Sequence, residues 1–375
     1  MAIVFIQPLQ ANKLRMAFNN DIIRFRSNTP LPVAYADVTA AGLNVRLYPN
    51  PAVEFFINMK PYVCALINTR NFEDTLHTDL PNTFIYDYSE GSVLNLNLDI
   101  KIVFTDTTSQ HQTFGLTWLA GVEQLDNNNS FIKSDNLILS PFKSYTNNYH
   151  FLKYWQGYPF DMSFYSTGTL QLINQTNLLV SEFDMPGQVN RLVFSDGRTD
   201  ETLEEIMPLV EGFNEFRAVT KYQQIETDRF MLLEKVSYKC GVYFKWLNKY
   251  GGYNYWLFED TYSIDRNSKS LGELDRDNDN VDTALNRSLQ VGQQSQDTIK
   301  VIAERLNIDE RIIVEGILES PKIYLFTGQP FARNDYNDWI EVSLKTTNAR
   351  IKNFKQNLTN FVLDFELPVR YTQTL

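Results

Sequence analysis

CGVYFKWLNKYGGYNYWLF, residues 240–258, crowds tyrosine, tryptophan and phenylalanine around a single Gly-Gly pair. Val242, Phe244 and Trp246 alternate with Tyr243, Lys245 and Leu247. Asn248 to Gly252 has turn composition, and Gly251 and Gly252 are free to take positive φ. Beyond the turn, Tyr253, Tyr255 and Leu257 alternate with Asn254, Trp256 and Phe258. The spacing predicts a β-hairpin. Its second strand carries rings on both faces, so it belongs inside a sandwich or beneath a neighbouring subunit. The alternative is a platform for stacking a ligand. Tyr154, Trp155 and Tyr158 upstream, with Trp246, Tyr253, Tyr255 and Trp256 here, are the candidate interface or ligand-platform residues.

Outward from the hairpin, the chain reads as strands. SVLNLNLDIKIVF (92–104) alternates Leu96, Leu98, Ile100 and Ile102 with Asn95, Asn97, Asp99 and Lys101, giving one buried and one wet face. Similar short runs include LNVRLYP, AVEFFINM, YVCALINT, TFIYDYS and QTFGLTWLAGV, separated by Pro, Asn, Asp and Gly. Without intervening helices, such runs predict a mainly β, multidomain chain of antiparallel β-sandwich or jelly-roll-like domains with a few short helices. Two helices are expected. One lies in DETLEEIMPLVEGF (200–213), limited by Pro208, and one in the stretch DTIKVIAERLNIDERIIVEGILESP, capped at Asp309 and stopped at Ser320-Pro321. LDNNNSFIKSDN near residue 130 reads as a surface connection, and residues 266–298 as a polar linking loop with one exposed strand.

A chain of 375 residues is long enough for two or three cores. The expected division is an N-terminal β-sandwich at 1–140, a central β domain with the aromatic hairpin at 141–265, and a linker loop with a C-terminal α+β module at 266–375. No apolar run reaches the ~18 residues of a membrane helix. The N-terminus has no leader signature, so folding in a reducing cytoplasm is expected. A net charge of −11 without a basic cluster argues against nucleic acid as a partner. Cys64 and Cys240 are read as two buried free thiols.

Chemistry is sparse in the sequence. His77, His111 and His150 stand apart from any ligand or triad spacing, and neither cysteine lies in a nucleophile motif. Asp275, Asp277 and Asp279 open a calcium-loop pattern. It fails at Asn280, where glycine is required, and at Asn286, where a bidentate glutamate is required. No catalytic residue, cofactor or metal site is expected.

Three stretches carry a resemblance: FLKYWQGYPFDMSF (151–164), SYKCGVYFKWLNKYGGYNYWLF (237–258), and IDERIIVEGILESPKIYLF (308–326) with DWIEVSL (338–344). Together they resemble a family of tail-associated virion structural proteins encoded by bacteriophages and prophages of Bacteroidetes-type hosts, mainly over residues 150–375. The resemblance implies a non-enzymatic subunit of a tail, baseplate or neck. It would assemble in the host cytoplasm into a homo-oligomeric ring and reside in the virion, with other virion proteins and its own copies as partners. A carbohydrate- or receptor-binding tail module, with host surface glycan as partner, is the alternative. Neither reading involves nucleic acid or membrane insertion.

Overall fold

The computed structural model describes residues 3–7, 9, 11, 14–76, 83–122, 136–140, 149–166, 168–197, 203–222, 225–259, 262–275, 288–328, 339–351 and 358–374. Strands make up 58% and helix 8%, so the mainly β expectation holds. The expected connection near residue 130 and most of the calcium-like stretch, 276–287, lie outside the described residues.

The chain forms two compact units that interleave along the sequence. The first comprises Met1–Leu152, Gly157–Lys235 and Asn248–Tyr253; the second comprises Lys153–Gln156, Val236–Leu247 and Asn254–Leu375. Three consecutive domains, divided near residues 140 and 265, are not how the contacts partition. The reason is that the aromatic hairpin places its turn in one unit and most of its strands in the other.

The first unit begins as a β-sandwich. A five-stranded sheet joins Leu14–Met16, Ser109–Leu119, Val93–Phe104, Val33–Ala40 and Leu43–Leu47, and a three-stranded sheet joins Ile3–Phe5, Ile22–Ser27 and Phe55–Asn58. They share one core, in which Phe25 and Phe55 from the small sheet meet Leu98, Ile100, Ile102 and Trp118 from the large one. The expected alternation along 93–104 is realised: Leu96, Leu98, Ile100 and Ile102 are buried, whereas Asn97 and Lys101 are exposed. The pairing of Leu14–Met16 with Thr117–Leu119 is parallel, a departure from an otherwise antiparallel pattern among the described strand pairs of this unit.

YVCALINT is not a strand. Lys60–Ile67 is a helix with Pro61 in its first turn, and Val63 and Ile67, one turn apart, face the core. The rest of this unit brings together a four-stranded sheet (Asn136–Ile138, Pro159–Ser166, Val189–Asp196, Ile85–Asp87) and four strands of a five-stranded sheet, Ile225–Val236, Gly212–Tyr222, Thr169–Asn174 and Leu179–Asp184. Phe194 of the first and Phe216 of the second touch edge-to-face at 6.1 Å. The short helix expected near Leu203 is present as Leu203–Ile206 and stops before Pro208.

The second unit is built on a seven-stranded sheet in the order Tyr253–Glu259, Gly241–Leu247, Ile323–Phe326, Trp339–Leu344, Thr359–Glu366, Gln293–Leu306 and Tyr262–Ser270. The stretch 266–298, expected as a linking loop with one exposed strand, is strand over most of its described residues: Tyr262–Ser270 pairs with Gln293–Val301, and Glu273–Asp275 pairs with Ser288–Gln290. The helix lies where it was expected. Residues 293–306 upstream extend as strand, while Ile308–Glu315 is α-helical and is followed by a 3₁₀ turn at Gly316–Glu319, ending at Ser320-Pro321. Its cap is Asn307 rather than Asp309. The Asn307 side chain accepts from the Glu310 backbone N–H at 2.9 Å, and the Glu310 carboxylate accepts from the Asn307 backbone N–H at 3.0 Å. The reciprocal pair leaves no role for Asp309 at the cap.

Candidate functional site

The seven aromatic candidates are all interior. Trp246 is 0% exposed and Tyr255, the most exposed of them, 5%; Tyr154, Trp155, Tyr158, Tyr253 and Trp256 fall between. A sugar or base stacks on an open ring face, and rings this deeply covered offer none. The same burial leaves them no face for a neighbouring subunit, and packing on both sides accounts for rings on both faces of the hairpin.

In the second unit the rings pack on one another, and Trp155 joins two of the pairs through its edge-to-face contact with Tyr243 at 6.3 Å. Trp155 meets Trp256 edge-to-face at 5.0 Å, Tyr243 stacks on Tyr255 at 6.0 Å, and Phe244 stacks on Phe365 at 4.4 Å. Two lysines complete the packing. Lys245 Nζ lies 4.2 Å from the Trp339 ring centroid, and Lys153 Nζ stands over Trp155 (5.6 Å) and Trp256 (5.5 Å) while pairing with Glu310 at 2.5 Å. Cations over ring faces in a covered site stabilise the packing rather than present charge outward.

The turn of the hairpin explains its Asn-x-x-Gly-Gly pattern. Asn248 Oδ1 accepts from the backbone N–H groups of Tyr250 (2.9 Å) and Gly252 (3.2 Å), while its Nδ2 donates to the Leu139 carbonyl at 2.9 Å. Gly251 has φ +80°, and a Cβ on Gly252 would stand 2.4 Å from the Leu139 carbonyl oxygen. Glycine is required at the first position for conformation and at the second for space.

Sequence reasoning missed a buried charge cluster in the first unit. Arg191 is 1% exposed. Its guanidinium donates to Asp161 in fork geometry, Nε to Oδ1 at 3.1 Å and Nη2 to Oδ2 at 2.5 Å, and Nη1 donates to Asp74 at 2.6 Å. The rings of Tyr253 and Tyr88 flank the same guanidinium at 4.5 and 4.9 Å. Burial pushes the Tyr253 phenol well above its ordinary value, and the Asp74 charge adds to the shift. Burial likewise raises Tyr88. The sequence separations, 117 residues to Asp74 and 30 to Asp161, left no local signal.

In the second unit Asp297 accepts from Arg266 (2.7 Å) and Arg370 (2.9 Å). The hydrogen bond from Arg266 is the main reason its carboxyl is held below the ordinary aspartate range. Cys64 and Cys240 are both free thiols. Cys64 is half-buried and donates to the Ala17 carbonyl, but Cys240 is exposed, correcting the expectation that both are buried. His111 is exposed and stands 2.5 Å from Asp99; His77 lies outside the described residues. Among the described residues, no three His, Cys, Asp or Glu side chains gather as a metal site, and no helix is long and apolar enough to cross a membrane.

No protein-family model matches the chain, and no curated protein matches it. Solved structures that resemble it include the fibronectin(III)-like modules of Clostridium thermocellum CbhA, at 8% identity and a TM-score of 0.21 over 62% of this chain and 95% of that one. Domains A168–A170 of titin match at 11% identity and a TM-score of 0.26, covering 80% of this chain and 93% of the other. A Ca²⁺-stabilized adhesin of an Antarctic bacterium matches at 7% identity and a TM-score of 0.19, covering 96% and 72%. Likeness at these scores carries no weight for function, and the β-sandwich assignment rests on this chain's own sheets.

Proposed function

We propose that the chain is a non-enzymatic structural subunit of a bacteriophage virion, a tail, baseplate or neck component that assembles into a homo-oligomeric ring with other virion proteins around it. One observation carries the reading. Three strands at the ends of their sheets hold large apolar side chains outward: Phe56 (63% exposed) in Phe55–Asn58, Val180 (54%) in Leu179–Asp184, and Ile264 (47%) in Tyr262–Ser270. Open edges with apolar side chains invite strand pairing, and monomeric proteins blunt them. Phe55–Asn58 has no charged residue to do so, and the charges of Leu179–Asp184 and Tyr262–Ser270 leave their apolar side chains exposed. The aromatic residues that would suit a binder are used in packing instead, which supports a scaffold rather than a recognition module.

Light scattering on the purified chain, with negative-stain imaging of the same sample, tests the assembly. Closed particles of one stoichiometry are expected. Mass spectrometry of purified phage or prophage particles tests the location. A chain that stays monomeric at high concentration and is missing from particles would overturn the proposal.

A further inference from the structure

The strand Tyr262–Ser270 is the outermost of the seven-stranded sheet, and all nine of its residues are exposed. It is the longest of the three apolar-bearing edges, which have four, six and nine residues. It is also the one of the three with charges of both signs, since Phe55–Asn58 has none and Leu179–Asp184 has only Glu182 and Asp184. Asp265, Asn267 and Lys269 lie on one face, opposite Thr298, Gln296 and Gln294 of the neighbouring strand. Arg266 belongs to the other face and is held by Asp297. Among the described residues, the side chains of Asp265 and Lys269 make no hydrogen bond or ion pair, so each has its charge to offer.

From this edge we infer that two copies of the chain join through Ile264–Ser270 as an antiparallel strand pair centred on Asn267, continuing the sheet from one copy into the next. The inference rests on the self-assembly reading above and specifies one contact of it; a two-fold pair closes a dimer by itself, so a ring uses a second contact besides this one. In a two-fold antiparallel pair, residues directly opposite share a face, so only a few registers are open. Centring on Arg266 sets two guanidinium groups against each other, and centring on Asp265 opposes two carboxylates. Centring on Asn267 places Asp265 of each copy opposite Lys269 of the other. This pairing forms two symmetric ion pairs that neutralise all four charges, and the exposed backbone gains the partners an edge strand lacks. The same charges that discourage other pairings select this one.

Charge swapping tests the register on the full-length protein. Lys269→Glu opposes acids at both symmetric positions and should weaken association by about tenfold or more. The double variant Asp265→Lys with Lys269→Asp should restore it, because opposite charges again face each other. Sedimentation equilibrium reads the mass, and circular dichroism checks the fold. As an independent readout, Asn267→Cys in a Cys240→Ser background should form a disulfide-linked dimer under mild oxidation. Ser263→Cys should not, since its two copies would stand about 27 Å apart. If the wild type assembles but K269E does not weaken it, the double swap does not rescue it, or the N267C variant does not cross-link, this interface is wrong while self-assembly stands. If the wild type never associates, the interface fails, and particle mass spectrometry alone decides the structural-subunit reading.

Discussion

Arg191 shows how single residues hold this chain in shape. Its guanidinium carries one positive charge against two buried carboxylates, Asp161 and Asp74, and its flat faces are covered by Tyr88 and Tyr253. Removing a partner from a buried ion cluster leaves charge that neither water nor protein compensates. Arg191→Met should therefore lower the unfolding free energy by about 3–5 kcal/mol, measured from urea denaturation. Arg191→Lys should cost less, since it retains the charge but loses the fork and the stacking. A loss below about 1 kcal/mol for the methionine variant would mean that the carboxylates reach solvent and the cluster is peripheral. None of this was legible in the sequence. An arginine near Val193 and two aspartates far away look like ordinary surface charges until the strands bring them together.

At the scale of the element, the Asn248–Gly252 turn has a sequence meaning that can be tested. Gly252→Ala drives a Cβ to 2.4 Å from the Leu139 carbonyl, a backbone atom that cannot swing aside, and should destabilise the protein by about 1–3 kcal/mol. Gly115→Ala is the control, because a Cβ there meets only Asn97 Oδ1 at an ordinary 3.5 Å. If both variants melt alike in a thermal scan, close approach is not what requires glycine at 252. The hairpin itself was legible, since alternation, turn composition and ring density agreed. Other elements were harder for identifiable reasons. Eight residues of helix at Lys60–Ile67 hold the same apolar density as a short strand, and a run that brief gives no clear period. Tyr262–Ser270 is exposed on both faces, and period-2 alternation arises only where one face is buried, so the exposed strand expected in this stretch could not be placed from its pattern. The Asn307–Glu310 box was readable from its spacing and was missed because Asp309 looked like the nearer cap.

At the scale of the whole molecule, the order of domains was not legible because compact units need not follow the chain. The path crosses between units after Leu152, Gln156, Lys235, Leu247 and Tyr253. The seven-stranded sheet takes strands from Gly241 through Glu366, so a cut near residue 265, where the sequence suggested a boundary, divides one sheet. A fragment ending at residue 265 would keep Gly241–Leu247 but lose its hydrogen-bonded neighbour Ile323–Phe326 and the Phe365 ring stacked on Phe244. The hairpin strands, buried along nearly their whole length, would then present two-sided aromatic surface to water. That fragment should be poorly soluble or bind a hydrophobic dye strongly, with near-ultraviolet circular dichroism much weaker per aromatic residue than the full chain. A soluble fragment with sharp, native-like aromatic dichroism and a cooperative melt would show that the hairpin finds its structure without the strands beyond 265, and that the interleaved division does not govern folding.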